Sequence, residues 1–269
     1  MKRTQKKQTP PPPGMIRLQK ILAEAGIDSR RRCEEMILEG AVSVNGRVID
    51  ALPAFANPET DDIRVNGRRL NKPQKVYFLL NKPKNVICTN FDPQGRRKAI
   101  DYVDCQDRIF CVGRLDNDTT GAILLTNDSI LANRLTHPKY ELPKTYQVTI
   151  KGRMEGEPIE KLKKGVWLSE GKTTKTSVKV LKRNNLETIL EVTISQSLNR
   201  QISRMLAKVG FKVKALKRTH IGNIQMKSLP PGGYRPLTMS EVRYLYKATE
   251  LDNKSSVHDS DRDSRTGNV

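Results

Sequence analysis

The stretch Gly113-Arg114-Leu115-Asp116-Asn117-Asp118-Thr119-Thr120-Gly121, continuing as Ala122-Ile123-Leu124-Leu125-Thr126-Asn127-Asp128, decides how this chain is read. Its first half is a polar turn closed by glycine, and its second half is an apolar run of strand character. A strand fixes where its preceding turn sits. The pattern therefore predicts a carboxylate, Asp116, held rigidly at a cleft, as a nucleophile or general base must be. Two other readings compete. An aspartate often does no more than close a turn through its own backbone. Asp116, Asp118 and Gly121 also fall at positions one, three and six of a calcium loop. Position twelve, however, is Asn127 instead of a bidentate glutamate, and a strand rather than a helix precedes the turn, which excludes calcium.

Composition narrows the partners. A chain of 269 residues can bury a core and has room for two domains. Its formal net charge of +20 points to a polyanion, nucleic acid first and an anionic membrane surface second. No run reaches the ~18 apolar residues of a membrane helix, and the charged, proline-rich start does not read as a signal peptide, so a cytoplasmic protein is expected. Cys33, Cys88, Cys105 and Cys111 form no Cys-x-x-Cys pair, and His137, His220 and His258 lie far apart. Reduced thiols are expected rather than a zinc site.

Residues 1–14 are basic and then proline-rich, and residues 250–269 carry almost no apolar side chains. Both are expected to be disordered. Between them, residues 15–72 form a first unit. Leu18, Ile21, Leu22 and Ala25 recur at helical spacing before Gly26. Ser29 is placed to cap a second helix carrying Cys33, Met36, Ile37 and Leu38 on its apolar side. Strand-like Ala41–Val44 and Arg47–Ile49 flank Asn45-Gly46, a strong two-residue hairpin turn. A second short pair closes around Ile63–Val65 and Asn66-Gly67. The two helices bring Arg17, Lys20, Arg30, Arg31 and Arg32 near one another, a basic face suited to RNA backbone contact. This unit resembles the S4 RNA-binding domain, from the Arg-Leu-Gln-Lys-Ile-Leu-Ala start to the Val-x-Val-Asn-Gly turn.

After a linker, Asn71-Lys72-Pro73-Gln74-Lys75, a second unit covers residues 76–249. Strands are expected at 76–80, 110–112, 122–126, 146–150, 177–181, 188–194 and 213–216, and helices at 129–135, 158–164, 200–209 and 240–247. Strands outnumber helices and most connections read as hairpins or meanders. The fold class is α+β with a mixed or antiparallel sheet, without the phosphate loop of a nucleotide fold. No internal repeat and no DNA-recognition helix stand out.

The second unit matches four ordered motifs. Leu80-Asn81-Lys82-Pro83 is the first and the Asp116 turn the second. Pro143-Lys144-Thr145-Tyr146 is the third, and Asn199-Arg200-Gln201-Ile202 to Met205 with Leu216-Lys217-Arg218 is the last. In this order, behind an S4-like unit, they resemble the bacterial ribosomal RNA pseudouridine synthases of the RsuA type. The resemblance implies isomerisation of a uridine already in RNA. The bond from C1′ to N1 is broken and remade to C5, with no metal or cofactor, by a protein acting as a monomer on ribosomal RNA or a ribosomal subunit precursor. It implies that Asp116 acts at the sugar, by attack at C1′ or by proton abstraction, and that Tyr146 stacks on the flipped base and takes the proton from C5. Phosphate contacts are expected from Lys82, Arg114, Lys144, Arg200, Arg204 and Lys217.

Three positions depart from the family pattern. Asn85 stands where glycine is usual, a residue that tolerates positive φ. Gln196-Ser197-Leu198 replaces a Glu-Gly-Arg. Ser203 replaces the arginine that pairs with the catalytic aspartate, so a buried Asp116 would lack its ion-pair partner unless Arg200 or Arg204 compensates. Ser203 keeps open a second reading, a non-catalytic RNA-binding or ribosome-assembly protein on the same scaffold. The Gln-x-Leu-Asn-Arg-Gln-Ile run leans toward members that act on the large subunit.

Overall fold

The computed structural model describes residues 12–196 and 198–250. Most of the two segments expected to be disordered, residues 1–11 and 251–269, lies outside the described residues.

Residues 16–70 build two short helices against small sheets. Helix α1, Leu18–Glu24, buries Leu18, Ile21 and Leu22, and its end is followed by Gly26 at φ 85°. Helix α2, Arg30–Leu38, starts where Ser29 Oγ accepts the amide of Arg32 at 3.2 Å. Cys33 and Ile37 face the core from α2. Leu38, expected on the same side, is exposed, because it lies one residue past Ile37 and so ~100° around the helix. Asn45 (φ 51°) and Gly46 (φ 79°) turn the hairpin that pairs Val42–Val44 with Arg47–Ile49, the positive φ pair a tight hairpin requires. Strand pairing of Ile16–Arg17 with Phe55–Ala56 was not legible in the sequence, since two residues carry no periodicity.

The second unit is built on a nine-stranded sheet. Its main strands are β1 (Tyr77–Lys82), β2 (Thr120–Thr126), β3 (Lys144–Lys151), β4 (Ser177–Arg183), β5 (Glu187–Ile194), β6 (Val213–Ile221) and β7 (Tyr234–Pro236). They lie in the order β4-β5-β3-β6-β2-β1-β7, with Phe110–Cys111 on β2 and Ile224–Gln225 on β6. All these pairs are antiparallel except β6 with β2, which run parallel and meet over only two residue pairs, Lys217 with Thr120 and Arg218 with Gly121.

Strand alternation sends neighbouring residues to opposite faces. Leu80, Ile123, Leu125, Val148, Ile150 and Leu190 join one core with Leu162 of α4 (Glu157–Lys164) and Ile202, Met205 and Leu206 of α5 (Gln201–Lys208). Leu79, Ala122 and Leu124 join the other with Leu131 and Leu135 of α3 (Ser129–Thr136) and Leu245 of α6 (Met239–Lys247). The buried Asp128 carboxylate caps α3 through the amides of Ile130 and Leu131. Burial opposes its charge, but the hydroxyls of Tyr246 and Tyr77 and the Leu131 amide prevail and hold it below the usual carboxylate range.

Candidate functional site

The short parallel seam between β6 and β2 is where the two halves of the sheet join, and the cleft opens beside it. Its most restrictive feature is backbone. Gly121 has φ 103°, and a Cβ there would sit 2.1 Å from the Arg218 carbonyl oxygen. Only glycine lets β2 approach β6 this closely. The approach places the preceding turn, in which Thr119 N donates to Asp116 O at 3.1 Å, at the mouth of the seam.

A second clamp comes from the segment after β1. Asn85 adopts φ 63°, the left-handed conformation expected where it replaces glycine, and its amide donates to Asn117 O at 2.8 Å. Lys82 is fully buried. Its ammonium donates to Val86 O at 2.7 Å, Pro83 O at 3.0 Å and Asn117 O at 3.4 Å. Lys82 therefore holds the Asp116 turn from beneath and does not reach an RNA phosphate, a correction to the expectation from charge alone. Burial lowers its pKa, with nearby Cys88, Asp118 and Asp116 working against that shift.

Two grooves, of about 520 Å³ and 380 Å³, meet at Asp116, Thr119, Arg200 and Leu216. Asp116 is not buried: its side chain is 42% exposed, and Arg200 Nε stands 3.9 Å from its carboxylate. The premise that a buried carboxylate lacks a partner therefore fails on both counts. Arg200 takes a left-handed backbone (φ 46°) as the residue before α5. Such a conformation in a residue other than glycine is uncommon and tends to mark functional positions. Ser203, one turn further, lines the larger groove. Arg204 faces elsewhere, donating to Glu170 at 2.8 Å and Ser169 at 2.7 Å. That is a second correction, since a guanidinium held by a carboxylate is not available to either Asp116 or a phosphate.

The smaller groove also contains Arg114, Lys144, Tyr146, Gln201 and Arg218. Lys144 and Tyr146 lie two residues apart on β3 and so share a face. Tyr146 is 8% exposed, its ring packed into the first core on one side and lining the groove on the other. Lys144 Nζ donates to Leu142 O at 3.0 Å. Burial, reinforced by the nearby Arg218 guanidinium, lowers its pKa to about 8. Arg218, the cross-strand neighbour of Tyr146, is buried with Nε donating to Ala122 O at 2.6 Å. Its Nη2 is buried without a hydrogen-bond partner. An unpaired guanidinium nitrogen bordering this cleft is primed for an incoming acceptor.

A family model described as RNA pseudouridylate synthase matches residues 76–208, and an S4 domain model matches residues 16–51. The ribosomal large subunit pseudouridine synthase B of Bacillus subtilis (strain 168) is 42% identical over 234 residues, covering 86% of this chain and 96% of that protein. This chain belongs to the RNA pseudouridine synthase family. An uncharacterized RNA pseudouridine synthase of Aquifex aeolicus is 38% identical over 238 residues, with 88% and 96% of the two chains covered. A crystal structure of a pseudouridylate synthase superposes with a TM-score of 0.63 at 32% identity, covering 86% of this chain and 99% of that one. The fold is thus an S4 domain followed by a pseudouridine synthase domain of α+β class.

Within this synthase, the structure brings Asp116, Tyr146, Lys144, Arg114 and Arg200 around one cleft. Lys217 is exposed at the seam, on the opposite side of β6 from Arg218. Lys217 is the expected phosphate contact, but it is Arg218 that lines the cleft. Strand alternation held the signal, because of two adjacent cations on a strand only one can face the cleft.

In the S4 domain, Arg30 and Arg31 are exposed on the first turn of α2. Arg32 is held by Glu35 at 2.8 Å and Glu39 at 3.0 Å, so the expected three-arginine face is effectively narrower. Lys20 lies 3.8 Å from Glu24, and the Arg17 guanidinium sits 5.7 Å over the Phe55 ring. Glu24 also accepts from Ser129 Oγ, and Asp28 lies 3.8 Å from Arg108, so both contacts tie the S4 helices to the synthase domain. Among the described residues, no helix is long and apolar enough to cross a membrane.

Proposed function

We propose that this protein isomerises one specific uridine of large-subunit ribosomal RNA to pseudouridine, with Asp116 as the essential carboxylate. The observation that carries the reading is the arrangement of one solvent-accessible carboxylate beside a buried tyrosine, inside a ring of four cations. Arg114, Arg200, Lys144 and Arg218 all border the groove that holds Asp116 and Tyr146. A flipped nucleotide arrives with phosphates on both sides, and these cations offset that charge where the cleft excludes water. Asp116 reaches the sugar from the open side, to attack C1′ or to abstract a proton. The Tyr146 ring forms the wall on which the uracil stacks, and its oxygen is the candidate acceptor of the C5 proton, passing its own phenolic proton on to water as it does so. The unpaired Nη2 of Arg218 supplies a donor for a uracil carbonyl or a phosphate oxygen. Breaking and remaking one glycosidic bond changes no oxidation state, so the reading requires no cofactor.

The choice of ribosomal RNA rests on the large-subunit synthase among the relatives and on the S4 domain. It carries with it a cytoplasmic location and action as a monomer. Ser203 motivates the alternative of a binding protein that has lost the reaction. The nearness of Arg200 to Asp116 favours catalysis instead, because it supplies the cation that Ser203 lacks.

The test is a map of pseudouridines, at single-nucleotide resolution, in ribosomal RNA from cells with and without this protein. One large-subunit site should vanish on deletion, return with the wild type, and fail to return with Asp116→Asn. Rescue by Asp116→Asn would refute the site assignment. No missing site, with the protein still bound to ribosomal particles, would establish the non-catalytic reading.

A further inference from the structure

Phe91 is exposed to 79% of its surface, on a segment otherwise pinned in place. Residues 88–97 leave and return through a closed base, where Ile87 N donates to Arg97 O at 3.0 Å and Ala99 N to Ile87 O at 2.8 Å. Next to the tip, Asn90 Nδ2 donates to Ile109 O at 2.6 Å, and Thr89 Oγ1 donates to Phe91 O at 2.8 Å. Beyond it, the Asp92 carboxylate, only 4% exposed, accepts from the backbone amide of Arg96 at 2.8 Å and from its guanidinium at 2.7 Å. A single exposed apolar side chain is ordinary on a protein surface. A large aromatic ring held outward by a braced loop at the rim of a catalytic cleft is a different matter. The loop's order is already in place, and the ring has only two side-chain torsions to restrict on binding.

Charge decides what the ring meets. On one side lies a groove of about 490 Å³ that runs from Phe91 past the Asp92–Arg96 pair and Arg114 to Asp116 and Asn117. On the other side lies a groove bordered by the carboxylates of Asp28, Asp101 and Asp107 and by one cation, Arg108. The second groove carries net negative charge and the first none, so a polyanionic strand is directed along the first. The Phe91 ring therefore stands beside the path of a strand leaving the Asp116 cleft, with the exposed Arg114 available for a phosphate.

We propose that the Phe91 ring is a stacking platform for an unpaired nucleobase immediately beside the uridine that enters the Asp116 cleft. The proposal rests on the RNA-modifying reading above. Flipping one base unstacks its neighbour, and an aromatic face restores the lost stacking. The platform thereby selects RNA in which that neighbour is free to leave the helix. Because every base has a π face, the platform sets tolerance for local structure more than for sequence.

The probe is a synthetic RNA stem-loop centred on the uridine located by the mapping experiment, with 2-aminopurine placed in turn on either side of it. Wild type should quench 2-aminopurine on one side only. Phe91→Ala should lose that quenching and raise KM by about 5- to 150-fold, the range expected for one base–aromatic stack, with the loss falling on KM rather than kcat. Phe91→Trp should retain both properties. Phe91→Leu, which keeps bulk without a π face, should behave like Phe91→Ala. An abasic nucleotide at the quenched position should abolish the difference between wild type and Phe91→Ala. If Phe91→Ala quenches and turns over like wild type on the mapped RNA, this proposal is overturned while the synthase reading stands. If no uridine is mapped, the synthase reading falls and this proposal falls with it.

Discussion

The Gly121 backbone lies so close to Arg218 that a Cβ on residue 121 would stand 2.1 Å from the Arg218 carbonyl oxygen. This contact joins the Asp116 turn to the strand that carries the buried guanidinium. Gly121→Ala adds positive-φ strain and a backbone collision at once. It should destabilise the protein by at least about 2 kcal/mol and displace Asp116. Urea denaturation read by circular dichroism checks the stability, and pseudouridine formation in ribosomal RNA checks the activity. A fully stable, fully active variant would show that the two strands can separate without cost.

Arg200 should matter to turnover and hardly to stability. Both partners of the Arg200–Asp116 pair are largely exposed at 3.9 Å, a geometry worth about 0–1 kcal/mol in the free protein. Once RNA excludes water, the same pair strengthens. Arg200→Ala should therefore lower kcat about tenfold with an unchanged melting temperature. Ser203 lies three residues on, on the neighbouring helix face, so adding Ser203→Arg should restore most of the loss. Single-turnover kinetics on the mapped RNA separates these outcomes, and a double variant no better than Arg200→Ala would mean that position 203 does not reach the carboxylate.

Lys144 confers a pH dependence with a defined sign. Its folded pKa, about 8, lies below the ~10.4 of an unfolded lysine. Between these values the unfolded chain binds more protons, so the Lys144 contribution to stability rises with pH from about 8 to about 10.4. Binding of RNA should move the other way, weakening above pH 8 as the ammonium loses its charge. Lys144→Met should flatten both trends relative to wild type. Melting temperature and RNA affinity measured from pH 7 to 10 on the two proteins provide the comparison, and parallel curves would remove Lys144 from either role.

The S4 face should act through phosphates. Arg30→Ala and Arg31→Ala should each reduce the slope of log affinity against log salt by about 1, with a uniform loss of affinity across RNA sequences. Arg32→Ala should have the smaller effect, because Glu35 and Glu39 already hold that guanidinium. Filter binding at several salt concentrations measures all three, and equal effects would mean that RNA displaces both glutamates.

Much of this architecture is written locally. Ser29 before a helical run, Asn45-Gly46 between alternating apolar residues, and the turn-then-strand pattern at Asp116 each specify their own backbone within a few residues. Asn85 at positive φ follows in the same way from one residue's conformational tolerance. Two-residue strands such as Ile16–Arg17 could not be read, because their pairing depends on a partner nearly forty residues away.

By itself, then, the sequence determined the two-part α+β plan, the turn that presents Asp116, and the chemistry its motifs resemble, since these depend on short-range periodicity and residue type. The tertiary structure alone decided which cations face the cleft. Lys82 is buried beneath the turn, Arg204 is turned to Glu170, Arg200 lies beside Asp116, and Arg218 points inward where Lys217 points out. Charge is legible in a sequence, but the direction of a side chain is set by the strand pairing and packing of residues far apart along the chain.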